Sequence, residues 1–356
     1  MVKFVLSALL TSFVFVVSSS VALAAESKSA VVTTKRHAAH HSRAAAKPAA
    51  KSAVRHHRRH VAVAPRAHKA AARAPRVAAA AGTMSAGDLA GLNQTRDPLD
   101  LKSNVALVLD QANSQVLFEK NSNVALPIAS ITKLMTGLIV VEAHQNMDEM
   151  LTVTQDDVDK EKFSGSRLKV GAQLTRANML HIALMSSENR AAAALGRNYP
   201  GGLSAFVAAM NAKAKSLGMN DTHYVDANGL SSHNVASARD LAKLVIAAHQ
   251  HPILCQYSTD TRYAVSTGRQ SLQYNNTNYL VANSAWDIGL QKTGFINEAG
   301  RCLVMQAKIE GRDVVMVFLD SKGKHSRTDD ASRIRKWLEA VKPQALMQTR
   351  AAHAQT

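Results

Sequence analysis

Cysteines, aromatic side chains and acids are all scarce in this 356-residue chain. With only Cys255 and Cys302 there is no disulfide framework; an oxidising compartment would permit the two to pair, and both equally suit small buried side chains. Aromatic residues make up 4% of the chain, and none falls between residues 26 and 85. That stretch has Glu26 as its only acid and holds about +12 of the net charge of +17. It is built of Ala, Lys, Arg and His with some Pro and Val, has little to bury, and reads as disordered. Its histidines, such as His56, His57 and His60, lack the fixed surroundings that a tight metal site needs. No His-Glu-x-x-His helix is present, and neither a metal nor another cofactor is expected. After the N-terminal stretch no segment is apolar for long enough to cross a bilayer.

What is present divides the chain into four parts. Residues 1–24 read as a secretory signal, with Lys3, an apolar run from Phe4 to Val17, and the small-x-small site Ala22-Leu23-Ala24. Residues 25–97 form the basic tail, 98–343 a globular domain and 344–356 a flexible end. Export points to the periplasm and away from nucleic acid, so the tail's expected partner is an anionic envelope surface.

Within the domain, Asn104–Asp110 and Gln115–Lys120 read as a hairpin. A helix is expected from Ser130 to about Glu142, because Ile131, Leu134, Met135, Leu138 and Ile139 recur at steps of three and four. Helical signals follow at 174–185, 191–197, 203–217 and 238–248, with Thr175 as a cap and Gly218 as a stop. Strands return at 286–294, 302–309 and 313–320, and a last helix spans 330–341. This order implies an α/β (α+β) domain: an antiparallel sheet flanked by helices and interrupted by a mostly helical insertion.

Ser130 and Lys133 lie three residues apart at the start of a core helix, so a hydroxyl and an amine leave one face. That is the arrangement of an activated nucleophile. The same spacing at Ser166–Lys169 and Ser321–Lys324 reads as solvated polar positions, and Ser232–Asn234 as loop chemistry. What distinguishes Ser130 is its company. Ser187-Glu188-Asn189 joins two apolar helices, and Lys292-Thr293-Gly294 lies late in a strand with Lys292 and Gly294 on one face.

These three motifs, in this order, resemble the penicillin-recognising serine D,D-peptidases, from about Asn104 to Val341. The neighbouring text, including Leu184–Ala192 and Asn228-Gly229-Leu230-Ser231, is most similar to type-7 penicillin-binding proteins, which are D-alanyl-D-alanine endopeptidases. The resemblance implies a β-lactamase/transpeptidase-like fold, with Ser130 as nucleophile toward a D-Ala carbonyl. It also implies oxyanion donors at the backbone N–H groups of Ser130 and Phe295. By residue type, a neutral Lys133 would take the serine proton, its pKa lowered by burial and by Lys292. Ser187 would relay a proton to the leaving amine and Asn189 would hold the peptide backbone. Lys292 and Thr293 would face an anionic part of the substrate, and Gly294 would let its backbone approach the strand edge. The implied partners are peptidoglycan stem peptides and, as covalent inhibitors, β-lactam antibiotics. A D,D-carboxypeptidase is the near alternative. A β-lactamase of class A would need a further deacylating glutamate, and none is assignable here, although Glu161 lies in an unassigned region; a non-catalytic envelope-binding protein would leave the motif set without a purpose.

Overall fold

The computed structural model describes residues 84–268 and 270–341. The expected signal, most of the basic tail and the C-terminal end lie outside the described residues. A short helical turn α1 (Ala86–Leu89) leads to the hairpin of β1 (Ser103–Asp110) and β2 (Val116–Lys120). Then come β3 (Leu126–Pro127), α2 (Thr132–Glu142), β4 (Met150–Thr152) and β5 (Gln173–Thr175). The helical region is α3 (Arg176–Met185), α4 (Asn189–Arg197), α5 (Gly202–Ser216), β6 (Val235–Ala236), α6 (Ala238–His249) and α7 (Pro252–Thr259). A small hairpin, β7 (Arg262–Ser266) and β8 (Ser271–Asn275), precedes β9 (Asp287–Ile296), β10 (Gly300–Ile309), β11 (Arg312–Ser321) and α8 (Ser326–Ala340).

Five strands form one antiparallel sheet in the order β2-β1-β11-β10-β9. Alternation along the strands builds two cores, one per face. Val105, Leu107, Val304, Val315 and Val317 join the helical core that contains α2 and α6. Val108, Leu303, Met305, Met316 and Phe318 face Ile334 and Leu338 of α8. α2 is buried from Thr132 to Val140, so it is the central helix of the larger core rather than an amphipathic one. The expected antiparallel sheet with a helical insertion is therefore the fold observed.

The sequence boundary at residue 98 falls too late. Ser85 donates to Asp320 Oδ2 at 2.7 Å, and the Ala86 amide donates to the Glu298 carbonyl at 2.9 Å. Gly87 lies against Asp320, where a Cβ would meet Oδ2 at 2.2 Å. Asp97 pairs with Lys120 at 3.0 Å, their side chains only 5% and 6% exposed. Composition could not reveal this, because each partner lies on a distant element. Ser321 is likewise not solvated; it is buried at the end of β11 and donates to Ser326 Oγ at 2.7 Å.

Candidate active site

Ser130 sits in a 3₁₀ turn (Ala129–Ile131) that runs directly into α2, rather than in the α-helix proper. Two glycines let that turn pack as it does. Gly229 has φ +78, and a Cβ there would lie 2.0 Å from the Ala129 carbonyl oxygen. A Cβ on Gly294 would lie 2.9 Å from the Ile128 carbonyl oxygen and 3.1 Å from the Ser130 nitrogen. The room at Gly294 is thus taken first by the chain's own nucleophile segment, which brings the Ser130 and β9 backbones side by side.

Lys133 Nζ lies 2.8 Å from Ser130 Oγ and 2.8 Å from Asn189 Oδ1, and it donates to the Asn228 carbonyl. Burial pushes this amine down to about 7, while the carboxylates of Asp226 and Glu188 pull it partly back. Asp226 also folds the loop that presents Asn228: its carboxylate accepts from the amides of Asn228 at 3.0 Å, Gly229 at 2.6 Å and Ser231 at 2.9 Å.

Ser187 occupies the two-residue link between α3 and the cap of α4, with φ +61. A non-glycine residue in the left-handed region is strained, and such strain gathers at functional positions. Lys292 Nζ donates to Ser187 Oγ at 3.0 Å and to the Thr293 carbonyl at 2.8 Å. This amine is held well below its ordinary value by burial first, then by the positive charges of Lys133 and Arg327. Thr293 Oγ1 lies 2.6 Å from Thr277 Oγ1 and is almost buried. Phe295 is exposed beside the cleft, with the Arg301 guanidinium 4.6 Å over its ring.

The structure thus links Ser130, Lys133 and Asn189 in one hydrogen-bonded group, and Ser187, Lys292 and Thr293 in another. Gly294 of β9 packs against the Ser130 backbone, and Ser187 lies two residues from Asn189, so the two groups share one cleft.

Several residues that motif reading passes over complete the site. Glu188 caps α4, accepts from Ser166 Oγ at 2.6 Å and from Tyr274 Oη at 3.3 Å, and is buried. Ser166, expected to be solvated, is therefore held in the cleft wall. Asn189 Nδ2 donates to Ser164 Oγ at 2.8 Å. Arg327 Nη1 donates to the Gly294 carbonyl at 2.6 Å and to the Cys302 carbonyl at 3.3 Å, bracing the far side of β9. Only the Asp-x-Asn-Gly turn chemistry of Asp226–Gly229 carried a local signal for any of these. Glu161 is exposed, and its side chain makes no hydrogen bond among the described residues. Cys255 and Cys302 are unpaired. Among the described residues, no cluster of three or more His, Cys, Asp or Glu could hold a metal ion, and no helix is long and apolar enough to cross a membrane.

Known proteins resemble this chain in sequence and fold. A family model described as D-alanyl-D-alanine carboxypeptidase matches residues 92–323. The D-alanyl-D-alanine endopeptidase of Pseudomonas aeruginosa is 49% identical over 242 residues, which is 67% of this chain and 78% of that protein. The Escherichia coli protein of the same name is 45% identical over 245 residues, covering 68% and 79%. Penicillin-binding protein D2 of Listeria monocytogenes, solved in its cefotaxime-bound form, is 28% identical with a TM-score of 0.61, covering 68% of this chain and 98% of its own. By the extent of these matches, the chain belongs to the serine peptidase family of the D-alanyl-D-alanine carboxypeptidases.

Proposed function

We propose that the protein is a serine D,D-endopeptidase that opens D-Ala–diaminopimelate cross-links of peptidoglycan through an acyl-enzyme, and that β-lactams acylate the same serine. The observation that carries this reading is the buried Lys133 amine, 2.8 Å from Ser130 Oγ and pushed down to about 7. Near neutral pH such an amine is neutral in a large fraction of molecules and can accept the serine proton. Ser130 Oγ then attacks the D-Ala carbonyl, and the backbone N–H groups of Ser130 and Phe295 receive the oxyanion. Collapse expels the amine, which takes its proton through Ser187, held by Lys292 at 3.0 Å. Water then releases the acyl group from Ser130. Asn189 holds the donor peptide backbone, and Thr293, oriented by Thr277, meets an anionic part of the substrate.

The choice of bond is supported by the names of the two bacterial endopeptidases. The family model's description favours a second reading, a D-alanyl-D-alanine carboxypeptidase built on the same residues. In either case the enzyme would work in the periplasm, with the basic tail resting on an anionic envelope surface. Labelling with a fluorescent penicillin should give a covalent adduct that Ser130→Ala abolishes, and an unlabelled wild type would defeat the enzyme reading. Digestion of purified cross-linked muropeptides should release monomers without loss of terminal D-Ala. Free D-Ala as the only product would move the assignment to the carboxypeptidase.

A further inference from the structure

A second hollow opens next to the cleft, between the loop 166–172 and the tip of the β7–β8 hairpin. Arg167, Lys169, Thr267 and Gln270 line it. Arg167 also lines the cleft wall that carries Ser187 and Asn189, so the two hollows have Arg167 in common. Its guanidinium is held in place. Its Cζ lies 4.0 Å over the Tyr274 ring, and Nη1 donates to the Gln273 carbonyl. Among the described residues Nε and Nη2 make no hydrogen bond, which leaves donors of the planar fork for a carboxylate. Lys169 stands exposed two residues on. The acid that lines this stretch of the cleft, Glu188, is committed to Ser166, Tyr274 and the α4 cap.

We propose that the trough from Ser187 past Arg167 to Lys169 seats the stem peptide that leaves when a cross-link is cut, with Arg167 holding one of its carboxylates. This rests on the endopeptidase reading above. Ser187 protonates the departing amine, so the leaving chain starts at Ser187 and must have somewhere to lie. A released D-Ala ends within reach of the catalytic groups, whereas a leaving stem continues as an acidic peptide whose diaminopimelate and glutamate residues carry carboxylates. The positive trough extends the cleft on the Ser187 side and has the matching charge.

The test measures binding to the Ser130→Ala protein with two probes: a disaccharide-peptide dimer with one D-Ala–diaminopimelate cross-link, and the uncross-linked disaccharide-pentapeptide. The dimer should bind more tightly, and adding Arg167→Met with Lys169→Met should lower its affinity about tenfold more than that of the pentapeptide. A dimer amidated on the leaving stem's carboxylates should lose the same advantage on the otherwise unaltered Ser130→Ala protein, a measurement that does not depend on how the variants fold. Equal losses for the two probes, or full affinity for the amidated dimer, would overturn the assignment. Cleavage of the dimer by the unaltered chain tests the parent reading separately. A chain that binds the dimer through Arg167 without cutting it refutes the endopeptidase and keeps the trough, and one that cuts it with affinity independent of Arg167 does the reverse.

Discussion

Lys133 is wholly buried and has three acceptors around its amine: Ser130 Oγ, Asn189 Oδ1 and the Asn228 carbonyl. A protonated amine satisfies all three. A neutral one donates to two and can accept a proton from the third, which is what a base for Ser130 must do. Burial favours the neutral form, the carboxylates of Asp226 and Glu188 oppose it, and the balance falls at about 7. Because the neutral amine is the active form, acylation by penicillin should rise with pH through about 7 and level off above it. Lys133→Ala should lower the acylation rate by roughly 10²–10⁴-fold and remove that rising limb. A rate independent of pH across this range in the unaltered enzyme would exclude Lys133 as the base. Ser130, Lys133, Ser187, Asn189 and Lys292 were readable as short local spacings. Glu188, Thr277 and Arg327 were not, because what each does depends on a partner far away in the chain. Ser166 and Ser321 were misread for a related reason: a polar side chain has the same letter whether it meets water or a buried acceptor.

Among the elements, the central sheet and most helices could be read from periodicity, since alternating and three-to-four-residue patterns follow directly from which face is buried. α7 and the β7–β8 hairpin went unread; the two strands alternate, but each is five residues long and buries a single side chain, Val265 and Tyr274. The start of the domain was misplaced because an alanine-rich tail runs without a compositional break into α1. That error makes a prediction. A chain beginning at residue 98 loses Ser85 from Asp320 and Asp97 from Lys120, and Lys120 is left buried with its charge unpaired. An orphaned buried charge costs about 3–5 kcal/mol. Relative to a chain beginning at Met84, the shorter one should melt on the order of 10 °C lower, given about 2–4 °C per kcal/mol for a domain of this size. Circular dichroism melts of the two forms would check this. Equal melting temperatures would mean that α1 and Asp97 contribute nothing to the fold.

On the scale of the whole chain, charge is distributed very unevenly. Residues 26–85 hold about +12 of the total of +17, so the remaining residues together are only weakly basic. A catalytic cleft specific for one kind of cross-link gains little from a strong field over the entire protein, but a surface-bound enzyme gains from a concentrated basic segment, which raises its local concentration at a polyanion without fixing its orientation. Such attraction acts between exposed charges and weakens once the Debye length shortens to about 8 Å at physiological ionic strength. Deleting residues 26–83 should therefore reduce retention on isolated cell walls most strongly at low salt, and the difference from the full chain should shrink as salt is added. Penicillin labelling should be unaffected, because every residue proposed for the chemistry lies beyond the deletion. Retention that is the same with and without these residues at low salt would leave the segment as a spacer and the envelope contact unsupported.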